Sequence, residues 1–440
     1  MGQVRRSGCG RARPRDRRTD RSGWAGIGGA CALPRPSDFN GDGRDDIAVG
    51  APRASDGKVL GAGVVDVIYG GGHRQVLAQS GTGIAGVPEE NDAFGSGLAS
   101  ADFDRDGHAD IAVRARGEGR VTLVYGSRNG LAGRSVKVPT GEEDLPQSVS
   151  AGDFDCDGGS ELVVGLAEEI RVYSGLGSGG LGFERLNTKD DGFPPLGGTV
   201  ETLVADFTGD GYPDLAASTP WTKPEGELPF NRLAVYEGSP SGLSADPLHE
   251  NTEVSTTGIA AGDVNGDGHA DLVATHVVPA VHESLVPGPH RRDVLHVFPG
   301  GTGGVGGPET LAGVPAADSR SAAAASIAMG DADGDGHADV AVSSRELVTV
   351  LYGGRRGLTT RGARSFRSDG GYGHDVALVG SSGGRADLGV VAARADGRAA
   401  LRLFRGEGGR FSSARMTSSA LSATPPPAGR PGTRVLFVLP

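Results

Sequence analysis

Six short segments of this sequence carry oxygen-bearing side chains at the same alternating positions. Counted from a first aspartate, these side chains fall at positions 1, 3, 5 and 9, and position 6 is always glycine. Alternate spacing around a tight turn directs successive oxygens toward one centre, and the glycine lets position 7 add its backbone carbonyl. Because calcium prefers six to eight hard oxygen ligands, the pattern predicts one calcium site per segment.

We call these segments loops 1 to 6. The predicted side-chain ligands are Asp38, Asn40, Asp42 and Asp46 in loop 1; Asp102, Asp104, Asp106 and Asp110 in loop 2; Asp153, Asp155, Asp157 and Glu161 in loop 3; Asp206, Thr208, Asp210 and Asp214 in loop 4; Asp263, Asn265, Asp267 and Asp271 in loop 5; and Asp331, Asp333, Asp335 and Asp339 in loop 6. The predicted carbonyl ligands at position 7 belong to Arg44, His108, Gly159, Tyr212, His269 and His337. The position-7 histidine side chains are expected to point to solvent and to have no catalytic role.

A helix–loop–helix calcium motif is the main alternative for such loops. That motif needs a bidentate glutamate at position 12 and a helix on each side. Position 12 is valine or alanine in every loop, and the residues that follow read as β-strands. The sequence therefore predicts about six Ca²⁺ sites in strand-connecting loops. A framework role for calcium, holding two strands together, is preferred over a direct bridge to a ligand.

The loops belong to a longer repeat. A second pattern, an apolar strand ending in an aromatic residue and glycine, occurs seven times, as in VTLVYG and VTVLYGG. A seventh, eroded loop keeps Asp387 at position 9 but has Val379, Ser381 and Gly383 at positions 1, 3 and 5. One four-stranded sheet cannot bury both of its faces, whereas a ring of such sheets can. The predicted fold is therefore all-β, a seven-bladed β-propeller of four-stranded antiparallel blades. A solenoid, the competing repeat architecture, predicts shorter repeats.

The two ends of the chain suggest how the ring closes. Pro34 and Pro36 lie where the first strand of blade 1 should be, and proline interrupts a strand ladder. The apolar residues 433–439 have no blade of their own, so they are predicted to supply the missing strand. The propeller is assigned to residues 38–440. Residues 1–37 form an Arg-rich segment that is either disordered or a degraded signal region.

Composition excludes several classes of function. The net charge is −12, and the arginine-rich start leaves the remainder more acidic still, which argues against nucleic acid as the main partner. No apolar run is long enough to span a membrane. The sequence has no G-x-S-x-G, P-loop or H-E-x-x-H motif, so the chain is not expected to be an enzyme. It is also expected to be a monomer.

These residues resemble the FG-GAP repeats of the integrin α-chain propeller, in a bacterial secreted form. Loop 1 is followed by Gly50, Ala51 and Pro52, and the next unit carries Phe94 and Gly95. The resemblance covers about residues 38–440 and is loose outside the loops. It implies a seven-bladed propeller with its calcium loops on one face. The family's ligand recognition does not transfer, because no matching motif is present on the opposite face.

The predicted function is a calcium-binding extracellular propeller that serves as a binding or adhesion module. No signal peptide is clearly recognisable. An unidentified extracellular protein or glycan is expected to bind the face that carries Trp221 and the long, histidine-containing loop 275–293, although ordinary solvated insertions are the simpler interpretation of those loops. A secreted hydrolase and a purely structural surface protein remain the alternatives.

Overall fold

The computed structural model describes most of the chain from Ser37 onward. The described ranges are 37–131, 133–141, 145–167, 169–177, 180–187, 200–221, 230–251, 256–276, 294–314, 326–343, 347–367, 372–380, 386–393, 399–407, 410–420 and 437–438. The Arg-rich segment 1–36 and most of the loop 275–293 lie outside them, so those predictions stay untested.

Within the described ranges, thirty β-strands are present and no helix is found. The first four sheets contain β1 (Ile47–Ala51), β2 (Val64–Ile68) and β3 (Arg74–Leu77); β4 (Phe94–Ala101), β5 (Asp110–Ala115), β6 (Arg120–Val124) and β7 (Ser135–Val138); β8 (Ser148–Gly152), β9 (Glu161–Gly165), β10 (Ile170–Ser174) and β11 (Gly182–Leu186); and β12 (Glu201–Ala205), β13 (Asp214–Trp221), β14 (Phe230–Tyr236) and β15 (His249–Asn251).

Three further sheets follow in the chain. They contain β16 (Thr256–Gly262), β17 (Asp271–His276), β18 (Val294–Phe298) and β21 (Glu309–Ala312); β22 (Ser326–Gly330), β23 (Asp339–Ser343), β24 (Leu347–Tyr352) and β25 (Thr359–Arg367); and β26 (Tyr372–Gly380), β27 (Ala386–Ala393), β28 (Ala399–Glu407) and β29 (Arg410–Ala420). The short strands β19 (Gly300–Gly301) and β20 (Gly304–Val305) form a separate two-stranded ribbon. We number the sheets as blades 1 to 7.

The strands of each blade are antiparallel and follow the chain order, except that one strand of blade 1 comes from the other end of the sequence. The strand that the first blade lacks is supplied by β30 (Phe437–Val438), which pairs with β1 through Ala48↔Val438 and Val49↔Phe437. This pairing is the one predicted for residues 433–439, of which only these two are described. The all-β propeller fold is therefore confirmed, with the last strand of the chain in the first sheet.

The apolar core lies in the seams between neighbouring blades. One cluster joins Val65 and Tyr69 of blade 1 to Ile111 of blade 2, and equivalent clusters join each later pair of blades. Loop position 2 contributes to these seams, because Phe39 and Phe154 are fully buried there. Since the core is divided in this way, each loop is anchored in the seam that its blade shares with a neighbour.

Candidate metal centres

Each loop is shaped by two hydrogen bonds that repeat without exception in the six copies. The position-6 glycine N–H donates to a carboxylate oxygen of position 1 at 2.8–3.0 Å. The position-7 N–H donates to a carboxylate oxygen of position 5 at 2.9–3.0 Å. The glycines have φ between 78° and 96°, a left-handed conformation that glycine adopts at no steric cost. The loop is thus turned by its own backbone.

The position-9 carboxylate ties its loop to the rest of the blade. One of its oxygens accepts the N–H of position 2 at 2.8–3.1 Å in every loop. In loops 1, 2, 4, 5 and 6 the other oxygen accepts an N–H, at 2.7–2.9 Å, from the glycine one or two residues after the aromatic residue. The aromatic–glycine pattern and the aspartate loop are therefore two halves of one contact and not independent signals.

That glycine has no room for a side chain. A Cβ on Gly126 would lie 2.2 Å from the carbonyl oxygen of Ala109, and one on Gly238 would lie 2.0 Å from that of Pro213. The equivalent glycines of blades 5 and 6 show the same approach to position 8. The close backbone contact explains why glycine recurs at this place in the sequence.

Three loops gather carboxylates into groups that could hold a metal ion. The ligand atoms within each group lie within 4.8 Å of one another, and the groups are Asp102, Asp104 and Asp110; Asp153, Asp155 and Glu161; and Asp331, Asp333 and Asp339. These are positions 1, 3 and 9. Loops 1, 4 and 5 have Asn40, Thr208 and Asn265 at position 3, so they offer fewer carboxylates. Position 5 lies outside the three groups.

One oxygen in loop 2 lacks a partner. The Asp104 side chain is 7% exposed, and its Oδ2 accepts a hydrogen bond from Arg134 at 2.8 Å. Its Oδ1 is buried and, among the described residues, receives no hydrogen bond. A buried carboxylate oxygen without a donor is costly, and a bound cation would remove that cost. The residues present therefore fit a hard, oxygen-liking cation.

Burial raises the pKa of every position-9 carboxyl, and the neighbouring carboxylates of the loop raise it further. The pKa is about 6 for Asp46, Asp214 and Asp271, about 7 for Asp339 and about 8 for Asp110 and Glu161. Hydrogen bonds from backbone N–H groups oppose this rise without cancelling it. A divalent ion would favour the ionised forms and lower these pKa values.

Adjacent loops fit together through positions 4 and 7. The imidazole of His108 in loop 2 packs on Gly41 of loop 1, with ring atoms 3.0 Å from where a Cβ would lie. His269 and His337 pack in the same way on Gly209 and Gly266. Each Nδ1 also lies 3.0–3.4 Å from the position-5 carboxylate of its own loop. The expectation that these histidines point to solvent holds only in part, because the preceding loop packs on each ring while the side chains stay 18–25% exposed.

In the contact between loops 2 and 3, the large side chain is at position 4 and the glycine is at position 7. Position 4 of loop 2 is Arg105, which lies against Gly159 at position 7 of loop 3 and pairs with Asp157 at position 5. Although burial alone would raise the pKa of Asp157, the Gly159 N–H and the Arg105 guanidinium bring it below its usual value. Loop 3 therefore receives positive charge from its neighbour as well as any cation of its own.

Backbone hydrogen bonds also connect successive loops. The position-8 N–H donates to the position-1 carbonyl of the preceding loop, as in Ala109 to Asp38 at 3.0 Å and Ala338 to Asp263 at 2.7 Å. Loop 4 has Pro213 at position 8, and proline has no N–H to donate. There the Ser239 N–H still reaches the Phe154 carbonyl at 3.1 Å. Successive loops are thus hydrogen-bonded to one another, and the position-8 link is the one missing between blades 3 and 4.

Other predicted features lie partly outside the described residues. The eroded seventh loop places Asp387 in β27, opposite Val379, while Ser381 and Gly383 are not described. Trp221 pairs with Phe230 at the end of β13, but residues 277–293 of the predicted binding face are not described. Among the described residues, no helix has the length and apolar character that crossing a membrane requires.

Three segments of the chain match known repeat families. Residues 36–68 match the FG-GAP repeat, and residues 102–164 and 206–274 match the FG-GAP-like repeat. The fold and its aspartate loops define a β-propeller with candidate metal centres. More specifically, the chain contains FG-GAP repeats, as the sequence predicted; the bacterial secreted type stays a prediction.

The curated relatives match over a limited part of their length. The chain is 34% identical over 154 residues to integrin alpha-IIb of Mus musculus, covering 31% of this chain and 15% of the relative. It is 33% identical over 145 residues to phosphatidylinositol-glycan-specific phospholipase D of Rattus norvegicus, covering 29% of this chain and 17% of the relative. The chain therefore aligns with less than a fifth of either protein.

Solved structures resemble the chain over most of its length. One is an Agrocybe aegerita lectin described as recognising non-reducing terminal N-acetylglucosamine, with a TM-score of 0.53 and 16% identity over 88% of this chain and 91% of the lectin. Another is a Lactobacillus plantarum protein, with a TM-score of 0.53 and 14% identity over 89% of this chain and 99% of that protein. At these identities the likeness concerns the fold alone.

Proposed function

We propose that this chain is an extracellular, monomeric β-propeller that binds calcium in loops 1 to 6 and acts as a non-enzymatic binding or adhesion module. The observation that carries the proposal is the buried Oδ1 of Asp104, which receives no hydrogen bond among the described residues and belongs to the group formed with Asp102 and Asp110. Oxygen is the only ligand element in the clusters, which favours calcium over zinc or copper. Positions 1, 3 and 9 would hold the ion, with position 5 and the position-7 carbonyl completing the set.

The extracellular location of the protein and the class of its partner are inferred on separate grounds. Loops with three or more carboxylates and a hydrogen-bonded frame suit the calcium concentrations outside cells. The matched integrin and phospholipase D segments support a propeller that serves as a binding module, while the activities of those whole proteins do not extend to this chain. The partner is proposed to be a protein or a glycan.

The test is thermal unfolding with calcium and with a chelator, alongside calorimetric counting of bound ions. Each site that binds only the folded protein contributes RT ln(1 + [L]/Kd), about 2.7 kcal/mol when calcium is present at 100 times Kd. We expect about six ions, as the loops predict, and a strong rise in melting temperature. Removal of calcium is expected to reverse the rise.

A variant pair locates the ion in loop 2. Asp104→Ala removes the position-3 oxygen that every other loop retains, and is expected to lower the ion count by about one. Glu184→Ala, at an exposed strand position outside the loops, is the matched control and is expected to leave the count unchanged. An unchanged melting temperature and no bound ions in the unsubstituted protein would exclude the calcium proposal.

A further inference from the structure

A cleft separates the rim of blade 5 from the rim of blade 6. Its volume is about 510 Å³, within the range of small-molecule sites. One wall is loop 5, through Asn265 and Asp267, and the opposite wall is the turn between β24 and β25, which carries Arg355 and Arg356. The floor is apolar and belongs to the seam core, with Val297, Leu311 and Leu358.

The turn that carries the two arginines is held in place by backbone contacts. The Gly354 N–H donates to the Val264 carbonyl of loop 5 at 2.8 Å, and the Gly357 N–H closes the turn onto the Gly354 carbonyl at 2.6 Å. The arginines are therefore presented by a fixed backbone next to loop 5. Rigid presentation of polar groups lowers the entropic cost of binding a ligand.

The two guanidinium groups differ from two arginines of the same rim that are already paired. Arg105 pairs with Asp157 and Arg134 with Asp104. Arg355 and Arg356 are exposed, and within the described residues neither makes a salt bridge. A pair of unneutralised arginines over a cleft suits an anionic group, which planar guanidinium forks bind through paired hydrogen bonds.

The remaining charges narrow the ligand class. Glu309 is exposed on the same cleft, and loop 5 lines it with Asp267 and the buried Asp271. These carboxylates repel a ligand with several acidic groups but accept hydrogen bonds from hydroxyl groups. A ligand with one anion and adjacent hydroxyls meets both demands.

We propose that the cleft between blades 5 and 6 binds an acidic saccharide, with its anionic group on Arg355 and Arg356 and its hydroxyls on Glu309 and loop 5. This assignment deepens the proposed binding function and rests on it. A cation in loop 5 would reduce the repulsion from Asp267, so binding is expected to be stronger with calcium than with a chelator.

The test is saturation-transfer NMR on the full chain with D-glucuronate, a monosulfated glucose and neutral glucose. We expect the acidic sugars to bind about tenfold more tightly than glucose, as charge-assisted hydrogen bonds predict. Preference for glucuronate identifies a carboxylate ligand, and preference for the sulfated sugar identifies a sulfate ligand; both support the assignment.

Matched variants separate this site from the proposed calcium loops. The double variant Arg355→Ala/Arg356→Ala is expected to lose the preference for acidic sugars and to keep the calcium-induced shift in melting temperature. Arg128→Ala is the control, because Arg128 is exposed in the corresponding turn of blade 2 and does not line this cleft. Equal binding of glucose and glucuronate, binding that survives the double variant, or binding of tri-aspartate but not of sugars would overturn the assignment. A missing calcium shift would instead count against the proposed function.

Discussion

The carboxylate at position 9 serves both the fold and the candidate metal centre. It is buried in most loops and accepts backbone N–H groups from position 2 and, in five loops, from the glycine after the aromatic strand. The same side chain belongs to each of the three carboxylate groups. Its ionisation therefore links the binding of a cation in the loop to the stability of the blade.

The raised pKa values predict how the chelated protein responds to pH. A carboxyl whose pKa is higher in the folded state stabilises the fold fully below its unfolded pKa and loses that contribution as pH rises through the folded pKa. With folded pKa values from about 6 to about 8 against an ordinary value of 3.8, the loss spans about pH 4 to 8. The melting temperature with chelator is expected to fall from about pH 5 to about pH 8.

Calcium is expected to act in the opposite direction. A bound ion holds the position-9 carboxylates ionised, so the difference in melting temperature between calcium and chelator should widen over the same pH range. Melts at the two pH values, with and without chelator, measure it. A chelated protein that becomes more stable toward about pH 8 would contradict the assigned burial of these groups.

At the scale of the element, strand and loop meet at the glycine after each aromatic residue. The Gly126 N–H donates a hydrogen bond to Asp110, and the Gly126 Cα lies against the Ala109 carbonyl. A methyl group there must push loop 2 away from β6. The contact is therefore expected to be more sensitive to substitution than the exposed carboxylates of the same loop.

Gly126→Ala is expected to lower the free energy of unfolding by about 1–3 kcal/mol through overpacking. Urea titration measures the change, with calcium present throughout. Gly182→Ala in β11 is the control, because no atom lies within 4 Å of its added Cβ. The close approach would be disproved if both variants unfolded at the same urea concentration as the parent.

Much of the repeat could be predicted from sequence because its signals lie within one unit. The loop spacing and strand periodicity indicated the blades, and the apolar run near residue 437 indicated the partner of β1. The fit of His108 on Gly41, or of Arg105 on Asp157, could not be predicted in the same way. Such contacts join residues about one repeat apart, and they become visible only when neighbouring loops are placed side by side.

At the scale of the whole molecule, blade 1 depends on a strand from the far end of the sequence. Loss of β30 leaves the N–H and C=O groups of β1 on an open edge, which promotes self-association. Deletion of residues 433–440 is expected to lower the free energy of unfolding by about 1–3 kcal/mol through lost ladder bonds and packing, and to increase aggregation. Calorimetry and light scattering measure the two effects, and the number of bound calcium ions should not change. An unaltered melting temperature would argue against the β1–β30 pairing.

The pairing of β1 with β30 also sets an order of events during protein synthesis. The ribosome produces β1 to β3 early, but their fourth partner emerges only after the strands of all the other blades. Blades 2 to 7 each have their four strands in one stretch of sequence, so they can pair while translation continues. Blade 1 is thus begun before blades 2 to 7 and completed after them, and its open edge is exposed while those blades are being translated.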